Sequence, residues 1–321
     1  MNDDQRADEW KYRLSSFFLQ KGKLEITNIS RLKSNVYMVE TPAKEKLIVK
    51  GASNTYTLFK QWQFFDKWKG TALIPFSRFP NGKKVISGLN YSWIILPFIK
   101  GRKLNYKNAA DRIQAKTVLS IFHKEATNIY THHSYKKVTL FERWHKRILT
   151  FAKNERIFHY FGYETLFNEL LELSKDQFYR LFSFPWEKWD HEAKLSGQWT
   201  HGDVASHNFI STEKRTYLID FDLMKSANQL YDYIQLGQRF LPHINWKMEH
   251  LVHASIVPEK YTIAWLTAVA VPVDMIREWN YFAAKDPPYS QVDGYLSKMQ
   301  SNWERRKQFI YTIRSVGQLN Q

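Results

Sequence analysis

Hydrophobic and polar residues alternate in three short segments near the start of the chain, at residues 26–31, 35–40 and 46–50. Val36 and Met38 lie two positions apart in the second segment, and Leu47 and Val49 lie two positions apart in the third. This period of two is typical of half-buried β-strands. Polar residues separate the segments, so the pattern predicts three short strands joined by turns.

Most of the remaining chain has apolar residues at the three- and four-residue spacing of an α-helix. The predicted helices cover residues 57–68, 109–128, 141–156, 164–182 and 230–240, with a further apolar stripe over 296–313. An apolar run at 91–99, broken by Pro97, predicts another strand. The longest apolar stretch, 263–275, is shorter than the ~20 residues that cross a bilayer and contains Pro272. It predicts a buried helix and its connection, and no membrane span.

Two further apolar runs, at residues 207–211 and 216–221, flank the polar residues 212–215. Two such runs around a four-residue polar connection are typical of a β-hairpin. The hairpin would bring Asn208, at the start of its first strand, close to Asp220, at the end of its second.

Polar residues suited to phosphoryl transfer lie at and just before this hairpin, in His201-Gly202-Asp203 and Asp220-Phe221-Asp222. Phosphoryl transfer needs one residue that accepts or orients the proton of the nucleophile, and oxygen ligands that hold Mg²⁺ against the phosphates. Asp203 suits the first role. Asn208 and Asp220 suit the second, because Mg²⁺ prefers hard oxygen donors. Each triplet alone is typical of an ordinary turn or strand end, but their order and the hairpin favour a functional site.

The segment from residue 200 to 210, together with 218–222, resembles the catalytic and metal-binding segments of the aminoglycoside phosphotransferase and choline kinase-like family. The resemblance implies an α+β, two-lobed protein-kinase-like fold, with a small β-rich N-lobe at residues 1–98 and a larger, mainly helical C-lobe at 99–321. It implies that ATP and Mg²⁺ bind in a groove between the lobes. Some spore-coat proteins also resemble this family.

The resemblance assigns roles by position. Asp203 would be the catalytic base, within a turn that begins at His201, and Asn208 and Asp220 would be the Mg²⁺ ligands. Asp232, on the next helix, would brace the catalytic loop.

The predicted N-lobe has matching positions as well. Lys50, at the end of the third strand, would contact the nucleotide phosphates, and backbone groups of Leu96 to Phe98 would face adenine. For Asp222 the sequence leaves two readings open, an outer partner of the metal or a simple strand-end residue.

Three positions depart from the family pattern. No two glycines lie closer than five positions apart, so a Gly-rich phosphate loop is absent from the sequence. In kinases a helix glutamate holds the strand lysine on the phosphates, but the expected position falls near Lys60 or Gln61. Lys50 is then either loosely held or paired with a carboxylate from elsewhere. The third departure is His207, where the family commonly has glycine; a packed or solvent-facing histidine is the favoured interpretation.

Composition narrows the choice of partners. The chain has 47 Lys and Arg against 31 Asp and Glu, a formal net charge of +16. Such an excess favours anionic partners such as nucleotides or phosphorylated metabolites and disfavours a strongly cationic acceptor. Nucleic acid is the least favoured partner, because the aromatic residues fall at helical spacing. The absence of cysteine excludes disulfides and agrees with the expected cytoplasmic location, with spore association as an alternative.

The sequence therefore predicts an ATP- and Mg²⁺-dependent phosphotransferase that acts on a hydroxyl of a small molecule. The alternative is a kinase-shaped binding or structural protein with little or no catalysis, for which the missing helix glutamate is the main support.

Overall fold

The computed structural model describes residues 3–131 and 139–318. Within these ranges the chain forms two compact units. The first, the sheet unit, comprises residues 3–104, 117–131 and 207–224, and the second, the helical unit, comprises 105–116, 139–206 and 225–318. The predicted lobe boundary at residues 98 and 99 stays a prediction.

Ten strands occur in the described residues. They are β1 Asn28–Lys33, β2 Val36–Glu40, β3 Lys46–Ala52, β4 Ile86–Gly88, β5 Tyr91–Pro97, β6 Arg102–Lys103, β7 Trp199–Thr200, β8 Phe209–Ser211, β9 Thr216–Leu218 and β10 Lys225–Ser226. Two antiparallel sheets lie in the sheet unit, one of five strands in the order β1-β2-β3-β5-β4 and one of three in the order β6-β8-β9. In the helical unit, β10 pairs with β7.

Twelve helices occur in the described residues. They are α1 Asp3–Gly22, α2 Thr55–Lys67, α3 Ala109–Glu125, α4 Leu140–Ala152, α5 Glu155–Tyr160, α6 Glu164–Tyr179, α7 Trp186–Leu195, α8 Leu230–Phe240, α9 Met248–His253, α10 Thr262–Ala270, α11 Val273–Ala283 and α12 Tyr289–Gln318. Helices α1 and α2 belong to the sheet unit, α3 supplies residues to both units, and the others belong to the helical unit. The content of helices and sheets confirms the predicted α+β class.

Alternation along the strands of the five-stranded sheet places its apolar residues in one core. Val49 and Trp93, on the central strands β3 and β5, have no exposed surface. Helix α1 covers this face, since the ring of Phe18 meets that of Trp93 edge-on at a centroid distance of 5.2 Å. Removing such side chains from water is the main driving force for folding, so α1 and the sheet stabilise each other.

Helix α2 begins at a capped end and packs through aromatic residues. The Asn54 side chain accepts hydrogen bonds from the amides of Tyr56 and Thr57, which satisfies donors that have no partner within the helix. On its buried side, the ring of Phe65 lies 5.0 Å from that of Phe221. This contact ties α2 to the segment that follows β9.

Close aromatic and aliphatic packing also forms the interior of the helical unit. Phe158 of α5 meets Trp279 of α11 at a ring distance of 4.7 Å. Gly237 of α8 allows α10 to approach closely, because a Cβ there would lie only 2.9 Å from side-chain atoms of Trp265 and Val269. Glycine at this position therefore sets the spacing between α8 and α10.

Several predicted elements differ from the observed ones. The predicted strand at 207–211 is wrong at its start, because residues 206–208 form a short 3-10 turn and β8 begins at Phe209. The predicted helix at 141–156 is interrupted, with α4 ending at Ala152 and α5 beginning at Glu155. Helix α1 was not predicted, although Trp10, Leu14 and Phe18 have helical spacing.

No helix among the described residues is both long enough and apolar enough to cross a membrane.

Glycine is required where the chain leaves β5 and passes the hairpin. A Cβ on Gly101 would lie 2.5 Å from the backbone oxygen of Ser211 in β8. We expect Gly101→Ala to lower the free energy of unfolding by about 1–3 kcal/mol, as other overpacked sites do. Gly294 in α12 is the matched control, because a Cβ there meets nothing within 4 Å.

Gly294→Ala should raise stability by about 0.5–1 kcal/mol, since alanine loses less backbone freedom in a helix. Urea unfolding of both variants measures the difference. Equal effects at the two positions would contradict the proposed close approach at Gly101.

Candidate functional site

The hairpin β8–β9 positions the two predicted metal ligands. Phe209 pairs with Leu218 in this antiparallel ladder. One position further out, the Ile219 amide donates to the Asn208 carbonyl at 2.8 Å. The register therefore places Asn208 and Asp220 at the same end of the hairpin, as the sequence analysis expected. The Asn208 side chain is almost completely buried, at 2 % exposure.

The backbone of Asp220 is in an unusual conformation. Its φ of +67° lies in the left-handed region that most L-residues avoid, although Asp is tolerated there better than bulky residues. Backbone strain of this kind is common at functional sites. The Asp220 side chain is 30 % exposed.

Lys50 of β3 contacts both acidic residues of the Asp-Phe-Asp segment. Its Nζ lies 2.8 Å from Asp220 Oδ1 and 2.7 Å from Asp222 Oδ1. Burial opposes the charged form of Lys50, but the two carboxylates outweigh burial and raise the pKa of Lys50 above its ordinary value. Lys50 therefore keeps its positive charge. Its carboxylate partners come from the segment that follows β9 rather than from α2.

A second lysine, which the sequence analysis did not select, extends this positive group. Lys33 Nζ at the end of β1 lies 3.9 Å from Asp220 Oδ2. Its side chain is 69 % exposed, so the pair alone contributes little to stability. The available signal was its position at the turn between the first two strands.

Gln61 of α2, one of the two positions near which the sequence analysis expected the paired glutamate, contacts the backbone beside the two carboxylates. The side chain is buried, and its Nε2 donates to the backbone carbonyl of Phe221 at 2.6 Å. The carbonyl lies between Asp220 and Asp222 in the chain. Gln61 therefore orients the backbone that carries both carboxylates, while the lone acidic residue of α2, Asp66, pairs with Lys84 at 2.5 Å.

The His-Gly-Asp loop in the helical unit is held by a buried carboxylate on α8. Asp232, with no exposed surface, accepts the amides of His201 at 2.7 Å and Gly202 at 2.8 Å. Gly202 has a φ of +84°, which glycine adopts readily. His201 is also fully buried, and its Nδ1 accepts the amide of Asp203 at 3.3 Å.

These contacts constrain the loop at three successive backbone amides. The hydrogen-bond geometry is what the predicted bracing role of Asp232 requires.

Asp203, the predicted base, has a cationic neighbour. Nη2 of Arg239, in the last turn of α8, donates to Asp203 Oδ1 at 2.7 Å. Both side chains are about one third exposed, at 31 % for Arg239 and 32 % for Asp203. The pair is thus open to solvent and to small molecules, and sequence reasoning had not identified Arg239.

Tyr106 supports the same loop from a different segment. Its hydroxyl donates to the Val204 carbonyl at 2.7 Å, and its ring meets Phe240 edge-on at 4.8 Å. Burial, with the nearby Asp203 carboxylate, raises the pKa of Tyr106 far above its usual range, although Arg239 acts in the opposite direction. Tyr106 therefore remains a neutral hydrogen-bond donor, next to the residue that follows Asp203.

The segment predicted to face adenine, from Leu96 to Phe98, covers the last residues of β5 and the residue after it. Leu96 pairs with Ile48 of β3, and the Phe98 amide donates to the Lys46 carbonyl at 3.1 Å. The Phe98 amide is thus engaged within the sheet, so its carbonyl is the backbone group more able to meet a base. A nucleotide-binding role of Leu96 and Phe98 stays a prediction.

The oxygen donors of the hairpin suit a divalent cation. The amide of Asn208 and the carboxylate of Asp220 are hard ligands of the kind Mg²⁺ prefers, and the Lys50 ammonium already provides a positive charge beside Asp220. Within residues 3–131 and 139–318, no group of three or more His, Asp or Glu side chains could hold a metal ion, so this pair would need further ligands from phosphate or water.

Comparison with solved structures identifies the fold. An aminoglycoside phosphotransferase from Alicyclobacillus acidocaldarius superposes with a TM-score of 0.72 at 16 % identity, covering 92 % of this chain and 94 % of its own. Amicoumacin kinase, in complex with AMP-PNP, Ca²⁺ and Ami, gives 0.62 at 11 % identity, with 97 % and 96 % covered. Choline kinase LicA from Streptococcus pneumoniae gives 0.53 at 12 %, with 96 % and 99 % covered.

The chain therefore has the protein-kinase-like fold of these small-molecule phosphotransferases, which confirms the fold that the resemblance implied. No protein-family model and no curated protein matches the sequence.

The contact between Gln61 and Phe221 leads to a test of the role of Gln61. Gln61→Glu places a carboxylate against the Phe221 carbonyl oxygen. We expect it to lower the free energy of unfolding by about 2–3 kcal/mol at pH 8, because a buried acceptor loses its donor. The loss should be smaller at pH 5, since a protonated carboxyl can donate to the carbonyl again.

Denaturant unfolding at the two pH values measures this effect. Gln308→Glu is the isosteric control, because Gln308 lies exposed on α12 and should change stability little. A gain in stability for Gln61→Glu would mean that the new carboxylate reaches Lys50, and would refute the role given to Gln61.

Proposed function

We propose that the protein is an ATP- and Mg²⁺-dependent phosphotransferase whose acceptor is a hydroxyl group of a small molecule. The observation that supports this most directly is the contact of Lys50 with Asp220 and Asp222. A lysine from one sheet meets two carboxylates some 170 positions later in the chain, one of them with a strained backbone. Such a costly arrangement is typical of a site under functional constraint.

In this proposal the residues of the sheet unit handle the phosphates. Lys50 and Lys33 would contact phosphate oxygens, and Asn208 and Asp220 would hold the metal. Mg²⁺, when bound, would neutralise negative charge on the phosphates. Asp222, which is 60 % exposed, would keep a carboxylate beside Lys50 after Asp220 engages the metal, and so would replace the absent helix glutamate.

Asp203 would orient the acceptor hydroxyl and take its proton. The hydroxyl oxygen forms a bond to the γ-phosphorus, and the bond from that phosphorus to the bridging oxygen of the β-phosphate breaks. ADP leaves with the electron pair of the broken bond, and the proton goes to Asp203 Oδ. Asp232 and Tyr106, by holding the loop on both sides of Asp203, would keep this carboxylate in place.

Known kinases of the same fold support nucleotide as the phosphoryl donor. Amicoumacin kinase was solved with AMP-PNP and Ca²⁺, and a spectinomycin phosphotransferase with ADP and its antibiotic. For this chain, nucleotide binding is a proposal that rests on the fold and on the contacts of Lys50.

A kinase-shaped binding protein without catalysis is the second candidate. The observation that favours it is that α2 supplies no carboxylate to Lys50, since the one acidic residue of this helix, Asp66, pairs with Lys84 instead. Spore association belongs to this alternative and carries no observation of its own from the structure.

Replacing the proposed base separates binding from chemistry. Asp203→Asn should keep the affinity for Mg²⁺ and ATP but lower the rate of ADP release by about 10²–10⁴-fold, the usual contribution of a general base. The rate is measured as ADP formed, with an acceptor or with water as nucleophile. Asp66→Asn, at an exposed aspartate paired with Lys84, is the control and should leave the rate unchanged; full activity in Asp203→Asn would remove Asp203 from its role.

Ligand-dependent unfolding distinguishes the two candidate functions. Mg²⁺ and ATP at a hundred times the dissociation constant should stabilise the folded protein by about 2.7 kcal/mol. Lys50→Ala should reduce this gain, because it removes a proposed phosphate contact. Thermal unfolding with and without millimolar nucleotide gives the answer, and an unchanged melting temperature would favour the binding protein.

A further inference from the structure

The immediate neighbourhood of Asp203 in the helical unit is basic. Arg239 contacts the carboxylate directly, at 2.7 Å between Nη2 and Oδ1. The loop does not depend on this ion pair, because Asp232 holds the amides of His201 and Gly202 and Tyr106 holds the Val204 carbonyl. Arg239 therefore places a positive charge beside the proposed base without being needed to fix it.

More cations lie around the same end of α8. Arg112 donates through Nη1 to the Tyr106 carbonyl at 2.6 Å, and Tyr106 packs on Phe240, the residue after Arg239. Partial burial, together with the positive charges of Arg112 and Lys107, lowers the pKa of His243. The shift shows that His243 lies in the positive field of Arg112 and Lys107, and Tyr106 links Arg112 to the end of α8 that carries Arg239. We call Arg239, Arg112 and Lys107 the basic cluster.

Asp111, the acidic residue next to Arg112 in the chain, is buried and does not neutralise these positive charges at the surface. Asp111 is 1 % exposed, and its carboxylate accepts the Asn105 amide at 2.7 Å. The cluster is partly exposed, with Lys107 open to solvent and Arg112 and Arg239 half-buried. A group of like charges that remains exposed favours an anion from solution.

We propose that the acceptor carries an oxyanion group, a phosphate or a carboxylate, as well as the hydroxyl that is phosphorylated. The oxyanion would bind to the basic cluster, with Arg239 and Arg112 as its main contacts. Guanidinium groups suit this task, because their planar N–H donors match phosphate and carboxylate oxygens in pairs. The inference rests on the proposed function, since it assigns the acceptor side of the same reaction.

A bound oxyanion would also release Asp203. Arg239 now donates to Asp203 Oδ1, and this contact occupies one oxygen of the proposed base. If the acceptor anion takes over donors of Arg239, the hold on Asp203 weakens as the hydroxyl arrives. Neutral and cationic hydroxyl compounds lack this effect and would be poor acceptors.

Inorganic phosphate serves as the first probe, at constant ionic strength and without nucleotide. Phosphate should raise the melting temperature of the full chain, and the double variant Arg239→Gln, Arg112→Gln should bind it about tenfold more weakly or worse. Lys50→Ala separates the two anion sites: binding to the basic cluster persists in that variant, whereas binding at the nucleotide position is lost. Arg180→Gln is the matched control, because Arg180 also pairs with a carboxylate, that of Asp176 at 3.2 Å.

The same phosphate response in the double variant as in the parent would overturn the proposal, as would a response that disappears only in Lys50→Ala. Binding that is lost in the double variant and kept in Lys50→Ala and Arg180→Gln would support it.

Acceptor trials with ATP then distinguish the sources of the oxyanion. Sugar phosphates, sugar acids, neutral sugars and amino sugars are compared by ADP release above the rate with water. Stimulation by phosphates or by acids alone identifies the group, and the KM for that acceptor should rise about tenfold or more in Arg112→Gln. Stimulation by neutral or amino sugars alone refutes the inference but leaves the phosphotransferase standing, whereas failure of Mg²⁺ and ATP to bind refutes the proposed function while a phosphate site at the cluster would remain.

Discussion

The register of one short hairpin is the constraint on which the candidate metal site depends. Pairing of Phe209 with Leu218 places Asn208 and Asp220 at one end of the ladder, and the hydrogen bond from the Ile219 amide to the Asn208 carbonyl closes that end. A slip of one residue would turn every side chain to the opposite face. The buried Phe209 and Leu218 prevent such a slip, because it would expose both to water. Hydrophobic burial in the hairpin thus determines where the oxygen donors lie.

Charge balance around this hairpin differs from that of a kinase with a glutamate on the helix of its small lobe. Here Lys50 is paired twice, with Asp220 and Asp222, and the helix contributes a neutral amide instead. Gln61 cannot supply charge, but it can donate to a backbone carbonyl, which a carboxylate cannot do. The two contacts are compatible, because Asp222 gives Lys50 a second carboxylate partner while Gln61 holds the backbone between Asp220 and Asp222.

The loop that carries Asp203 is determined by buried polar contacts of the helical unit. The fully buried carboxylate of Asp232 would be costly without partners, and the two amides of the loop provide them. The hydroxyl of Tyr106 adds a third contact at Val204. With the loop held in this way, the exposed pair of Asp203 and Arg239 is available for interactions with a ligand. The basic character of this neighbourhood agrees with the net charge of the whole chain, which already disfavoured a cationic acceptor.

The sequence by itself determined the features that depend on near neighbours in the chain. Periodicity predicted strands β2 and β3 and most helices, and the spacing of two apolar runs predicted the hairpin with Asn208 and Asp220 at one end, because hairpin pairing is set by local turn and strand residues. It predicted a carboxylate on the helix after the hairpin, Asp232, only through the resemblance to a family. Only the tertiary structure decided which distant polar groups meet. It pairs Lys50 with Asp222, Gln61 with the Phe221 carbonyl and Arg239 with Asp203. These contacts join residues 36 to 172 positions apart, and such distant pairings depend on how helices and sheets pack, which no local pattern of residues specifies.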